Sequence, residues 1–188
     1  MADAPPGVGA ILNDVSAGLI SCDDPRTLAG YAAHGRSIKA AVEPLVSTLA
    51  VQLFDDGSRI RTPSGQVAAV DAEGELGASP DQQAPRHERN QIPGEQLPAT
   101  VRLLYYDPAR DYQFGEARAS VSDAHLAEEQ RDLPAVMDAG EAKTLPQQLL
   151  ARSWAERDRL TVRLPPRHLA LEPGGSVELP FSPGRWTI

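Results

Sequence analysis

The chain contains one cysteine, Cys22, which leaves no partner for an intrachain disulfide. With no second cysteine, and with His34, His87, His125 and His168 outside any metal-ligand spacing, a structural zinc site has no donor set to draw on. Stability must come from packing. No apolar run approaches the ~18 residues that a membrane span needs. The opening Met-Ala-Asp-Ala-Pro-Pro carries no basic stretch leading into a long apolar one, so neither a secretion signal nor a membrane segment is expected. Basic residues are also scarce: 18 Lys and Arg face 26 Asp and Glu, for a formal charge of −8. That balance disfavours tight binding of nucleic acid, whose phosphates demand clustered cations. There is no Gly-x-Ser-x-Gly elbow and no Gly-rich loop ahead of a helix, which removes two familiar catalytic frameworks. No unit repeats with a period of about 20 to 50 residues, which argues against a solenoid or propeller.

What is present suits a globular chain. Hydrophobic residues make up 41% and charged residues 23% of 188, enough for one ordinary domain or two small ones. The 17 Pro and 15 Gly cluster, so folded pieces should be joined by stiff loops.

Val8, Ile11, Leu12, Val15 and Leu19 recur at helical spacing, and Gly18 offers a stop. Leu28–Ala32 reads as a short strand. Ser37 is an N-cap for a second helix with Ile38, Ala41, Val42, Leu45, Val46 and Leu49 on one side, kinked at Pro44. Asp55-Asp56-Gly57 lies between two short runs and predicts a hairpin, and a further run spans Gln66 to Val70. Residues 71–94 are polar and aperiodic, which predicts an exposed linker or long loop. Ala99–Tyr106 and Tyr112–Val121 read as strands around the turn at Asp107-Pro108-Ala109-Arg110-Asp111. Asp138 should cap a third helix reaching about Arg157, with Pro146 near its start, followed by a strand at Leu160–Leu164 and two runs around Pro173-Gly174-Gly175. The order of elements predicts an α+β fold: a helix-strand-helix-hairpin subdomain over 1–70, the 71–94 linker, and a mostly antiparallel β subdomain with one long helix over 95–188. The abrupt end after Trp186 and Ile188 leads us to expect that the natural polypeptide continues.

Candidate chemistry is sparse. Asp55 and Asp56 sit at a turn, where aspartate serves backbone geometry more often than acid-base work. Asp107 and Asp111 bracket Pro108-Ala109, but two carboxylates fall short of the ~6 oxygens that calcium takes. Cys22 has no base beside it in sequence. We therefore expect no catalytic residue, no metal and no cofactor. Trp154 and most tyrosines are expected in the core. Trp186, next to Arg185 near an open end, is the candidate contact.

An ordered set of short motifs resembles the tail-tip proteins of tailed phages, typified by the very large tail protein of gene transfer agents. The set comprises Ile11-Leu12-Asn13-Asp14-Val15 with Ala17-Gly18-Leu19, Gly30-Tyr31, Glu43-Pro44-Leu45, Leu97–Leu103 leading to Tyr106-Asp107-Pro108-Ala109-Arg110-Asp111-Tyr112-Gln113, Trp154-Ala155-Glu156-Arg157, and Leu169–Gly174. The resemblance implies a structural hub segment of a tail tip or baseplate, not an enzyme, in a phage-like particle assembled in the bacterial host cytoplasm. It implies self-association as a ring, usually a trimer, and partners among other tail proteins. A host-surface glycan or receptor is the alternative partner, and an accessory part in cell-wall or glycoside hydrolysis, with Asp55, Asp107 and Glu116 as the carboxylates, is the enzymatic alternative.

Overall fold

The structure, a computed structural model, describes residues 4–65, 67–70, 76–77, 85–121 and 127–188. In chain order the elements are α1 (Val8–Val15), β1 (Ile20–Ser21), β2 (Gly30–Tyr31), α2 (Ile38–Thr48), β3 (Phe54–Asp55), β4 (Ile60–Arg61), β5 (Val67–Ala69), β6 (His87–Gln91), β7 (Thr100–Asp107), β8 (Gln113–Ser120), β9 (Glu128–Val136), α3 (Ala139–Ala155), β10 (Asp158–Val162), β11 (Ser176–Leu179) and β12 (Ser182–Thr187). Helices and mixed sheets together give the expected α+β class. Two compact units share the chain in alternation: residues 1–51, 55–61 and 92–157 form the first, and 52–54, 62–91 and 158–188 the second. Much of the stretch read as a linker, 71–75 and 78–84, lies outside the described residues, as does Gln66. Within that stretch His87–Gln91 forms β6, and Leu76 is buried.

The first unit is built on a four-stranded sheet in the order β2-β9-β7-β8. β7 and β8 form an antiparallel hairpin with Tyr105 opposite Gly115 and Tyr106 opposite Phe114. β9 runs parallel to β7 and antiparallel to β2, so the sheet is mixed. Alternation along β7 buries Val101, Leu103 and Tyr105, as the period of two in a strand dictates. α3 packs against β7 and β8, and α2 against β9. Leu12, Leu45, Leu103 and Leu133 are the largest apolar side chains that end up fully buried.

Capping follows the sequence closely. The Asp138 carboxylate accepts from the amides of Gly140 and Glu141 at 2.7 and 2.9 Å, and Ser37 Oγ accepts from Ala40 at 3.2 Å. Pro146 lies well inside α3 and is buried, deeper in the helix than expected. α2 ends after Leu49, where Ala50 turns left-handed at φ 55° and the Val51 amide reaches the Val46 carbonyl at 2.9 Å. Glycine is the usual residue at that position of a helix end. Ala50→Gly should therefore raise unfolding stability by about 1 kcal/mol, because the left-handed region costs an L-residue roughly 1–2 kcal/mol. A urea midpoint unchanged or lowered in the variant would contradict this.

β9 is the main element that the sequence hid. Its residues Glu-Glu-Gln-Arg-Asp-Leu-Pro-Ala-Val are mostly polar and include a proline, yet it is an interior strand. The proline is tolerated because the β7–β9 register shifts between Leu104 and Tyr106, while the Pro134 carbonyl still accepts from Ala32 N at 2.8 Å.

The second unit pairs β10 antiparallel with β6 and orders its other strands β12-β11-β5. Its core is small: Val70, Leu76, Val177 and Leu179, flanked by Leu160, Val162, Leu164, Phe181 and Trp186. Leu169–Leu171 is not a strand, and Leu169 is 85% exposed. The strand partner of β11 is instead β12, which carries Arg185 and Trp186.

Candidate functional site

The most distinctive surface lies at the tip of the β7–β8 hairpin. Asp107 is buried at the end of β7, and its Oδ1 accepts from Ala109 N at 2.9 Å, closing the turn at Pro108. Asp111 and Tyr112 both adopt left-handed backbone, at φ 56° and 59°. Two consecutive residues of this kind cost a few kcal/mol in total, on the order of 1–2 kcal/mol each, so the surrounding contacts must fix them. The contacts are visible: Tyr112 N donates to the Asp107 carbonyl at 2.9 Å, and Arg110 Nη1 donates to the Phe114 carbonyl at 3.1 Å. The turn at Asp107 and Asp111 is thus a capped, Arg110-supported structure.

This geometry projects aromatic rings into solvent. Tyr112 is 61% and Phe114 63% exposed, whereas Tyr105 is buried on the other side of the sheet. Phe114 stacks on Tyr106 with centroids 5.0 Å apart. The pair walls a groove of about 330 Å³ also lined by Pro44, Leu104, His34 and Asp132. His34 Nδ1 lies 3.2 Å from the Ala32 carbonyl, and Gln130 Nε2 donates to Asp132 Oδ1 at 2.9 Å. A larger cavity of about 570 Å³ in the same unit has an apolar floor at Leu28, Leu49 and Met137 and polar rim residues Arg26, Glu141 and Gln148. Arg26 there is held by Asp24 through Nε at 2.9 and 3.1 Å, and that guanidinium keeps the Asp24 carboxyl below the usual carboxylate range.

Trp186 and Arg185 lie on β12 of the second unit. Trp186 is half-buried against the small core, with the Arg89 guanidinium 6.0 Å from its ring centroid, and Arg185 Nε bonds Glu178 Oε1 at 2.8 Å. In the first unit Trp154 is half-buried and donates Nε1 to the Pro98 carbonyl at 3.0 Å. Tyr112 departs from the expectation that most tyrosines fill the core, and Phe114 is exposed beside it. The available signal was their position: an aromatic-x-aromatic run directly after a Pro-containing turn sits at a hairpin tip, where no core exists.

The carboxylates behave as turn formers. Asp55 Oδ1 accepts from Gly57 N at 2.8 Å, and Asp56 Oδ1 accepts from the Ser58 and Arg59 amides, both at 2.9 Å, and from Ser58 Oγ at 2.8 Å. Those amides, with Arg61 on Oδ2, hold the Asp56 carboxyl far below the usual carboxylate range. A carboxyl depressed on folding stabilises the fold above its unfolded pKa, and that contribution fades as pH falls toward the folded value. Asp56 should therefore remain ionised at about pH 3, below the ordinary aspartate pKa of ~3.9. A carboxyl-carbon NMR titration with a midpoint in the ordinary aspartate range would refute this. Cys22 is half-buried, and burial pushes its thiol up. His87 stacks on Phe181 at 4.2 Å, His168 accepts from Arg167 Nε at 3.2 Å, and His125 lies outside the described residues. Among the described residues no group of three or more His, Cys, Asp or Glu could hold a metal ion, and no helix is long and apolar enough to cross a membrane.

A family model described as "putative phage tail protein" matches residues 37–188. Among solved structures, the chain is similar to one from the virion of a native gene transfer agent particle, with a TM-score of 0.83 and 21% identity. The likeness covers 96% of this chain and 43% of that one, so the chain spans less than half the length of that protein. No curated protein matches.

Proposed function

The chain belongs to the phage tail protein family whose model covers residues 37–188, and from that premise we propose that it is a structural hub segment of a tail tip or baseplate. Its work is assembly: copies close a ring, usually three, at the end of the tail tube, and the ring holds neighbouring tail proteins. The observation that carries this reading is the likeness in fold, over 96% of the chain, to a protein of a gene transfer agent virion. The net charge of −8 supports it physically, because an acidic wall lets DNA pass without capturing its phosphates. The rigid aromatic tip supports it too, since exposed, pre-organised aromatics are the usual anchors of protein interfaces. We read the chain as non-catalytic, located in the particle's tail.

The test is sedimentation of the complete protein with its tail partners. The expected result is a symmetric oligomer that co-sediments with them. A complete protein that stays monomeric beside those partners would end the hub reading.

A further inference from the structure

β8 is an edge strand, with β7 on one side and no strand of the described residues on the other. Its hydrogen-bond phase is fixed by Val121 N donating to the Ala99 carbonyl at 2.9 Å in a register that sets Ser120 opposite Thr100. Antiparallel pairs alternate, so the odd-numbered residues of β8 turn their main-chain groups toward β7 and the even-numbered ones turn theirs outward. The Phe114 carbonyl, which accepts from Arg110 of the turn, agrees with this phase. Glu116 and Arg118 thus present amide and carbonyl along the open edge, and both side chains are exposed.

We propose that two copies of this chain pair through β8, antiparallel and two-fold symmetric about Ala117, with Glu116 of each copy opposite Arg118 of the other. The register follows from the edge itself. Centring on Ala117 aligns outward groups with outward groups and makes both central pairs opposite in charge, the favourable cross-strand arrangement. A slip of two residues either way sets Glu116 against Glu116 or Arg118 against Arg118. A slip of one sets outward groups against inward ones and loses the bonds. An edge protected against pairing would carry one sign of charge, which repels a copy in every register. This edge rejects the neighbouring registers and fits one.

α3 lies over both β7 and β8, and a two-fold axis perpendicular to the sheet leaves both copies of α3 on one face. The opposite side of β8 carries Phe114, Glu116 and Arg118, all exposed, whereas Gly115 and Ala117 lie buried on the α3 side. The contact is isologous, so it does not close a ring of three and stands apart from the hub reading.

Sedimentation equilibrium of the full chain, up to about 1 mM, tests the pairing. A concentration-dependent dimer is expected. Glu116→Arg and Arg118→Glu should each weaken it on the order of tenfold or more, by facing like charges in both central pairs. An equimolar mixture of the two variants should regain the wild-type affinity, because in the mixed dimer every guanidinium of one variant's central pair meets a carboxylate of the other's. The Glu116→Arg, Arg118→Glu double variant should regain it alone. Circular dichroism of each variant separates misfolding from lost pairing, and recovery in the mixture requires folded chains. A wild-type chain that is monomeric throughout, a dimer indifferent to both single variants, or a mixture that stays weak overturns the pairing. Failure to co-sediment with tail proteins would end the hub reading and leave this contact in place.

Discussion

Gly115→Ala should lower the unfolding stability of the chain by about 1–3 kcal/mol, the usual cost of forcing atoms into a packed core. A Cβ at Gly115 would lie 2.6 Å from Tyr105 Cζ and 2.9 Å from both Cε1 and Oη. Tyr105 is directly opposite in the β7–β8 ladder and 3% exposed, so its ring has no solvent to swing into. Removing the ring relieves the clash but empties its site. Tyr105→Ala alone should cost about 3–5 kcal/mol. In the double variant the two costs should fall short of their sum by at least about 0.5 kcal/mol, as contacting residues do. Urea unfolding followed by far-ultraviolet circular dichroism reads all three. Strict additivity, or a Gly115→Ala chain as stable as wild type, would show that the ring does not rest on the glycine.

Tyr112→Ala and Phe114→Ala should act on association and not on folding. Both side chains are more than half exposed, so each truncation should change stability by no more than about 0.5 kcal/mol. At an interface, rigid aromatic anchors of this kind cost about 2 kcal/mol or more when truncated, roughly thirtyfold in affinity. The left-handed backbone at Asp111 and Tyr112 and the Arg110 bond to the Phe114 carbonyl hold the tip before any partner arrives, so little ordering cost is left to binding. Affinity of the complete protein for its tail partners, measured by biolayer interferometry on each variant, decides the matter. Wild-type affinity in both variants would remove the tip from the interface.

Much of the fold was legible because it rests on local signals. Ser37 and Asp138 announce helices by their capping oxygens, and Asp107-Pro108 announces the hairpin turn, since each acts on amides two or three residues away. β9 was not legible. Its alternation is mostly of polar residues, its proline argues against an interior strand, and its place between β2 and β7 depends on residues far away in sequence. β6 lies in a stretch too polar to read as a strand, and its partner β10 begins 67 positions after its last residue, from Gln91 to Asp158.

The sequence by itself determined the class of fold, the helix ends, the hairpin and the acidic surface, because these depend on composition and on contacts between near neighbours. It also carried the family resemblance, through the order of its motifs. Only the tertiary structure decided which aromatics face water. Tyr105 and Phe114 look alike in sequence, but strand phase sends one into the core under α3 and leaves the other beside a groove. It also decided that β8 is the edge of its sheet among the described residues, a fact about neighbours that no local pattern encodes. That edge position gives Glu116 and Arg118 their meaning.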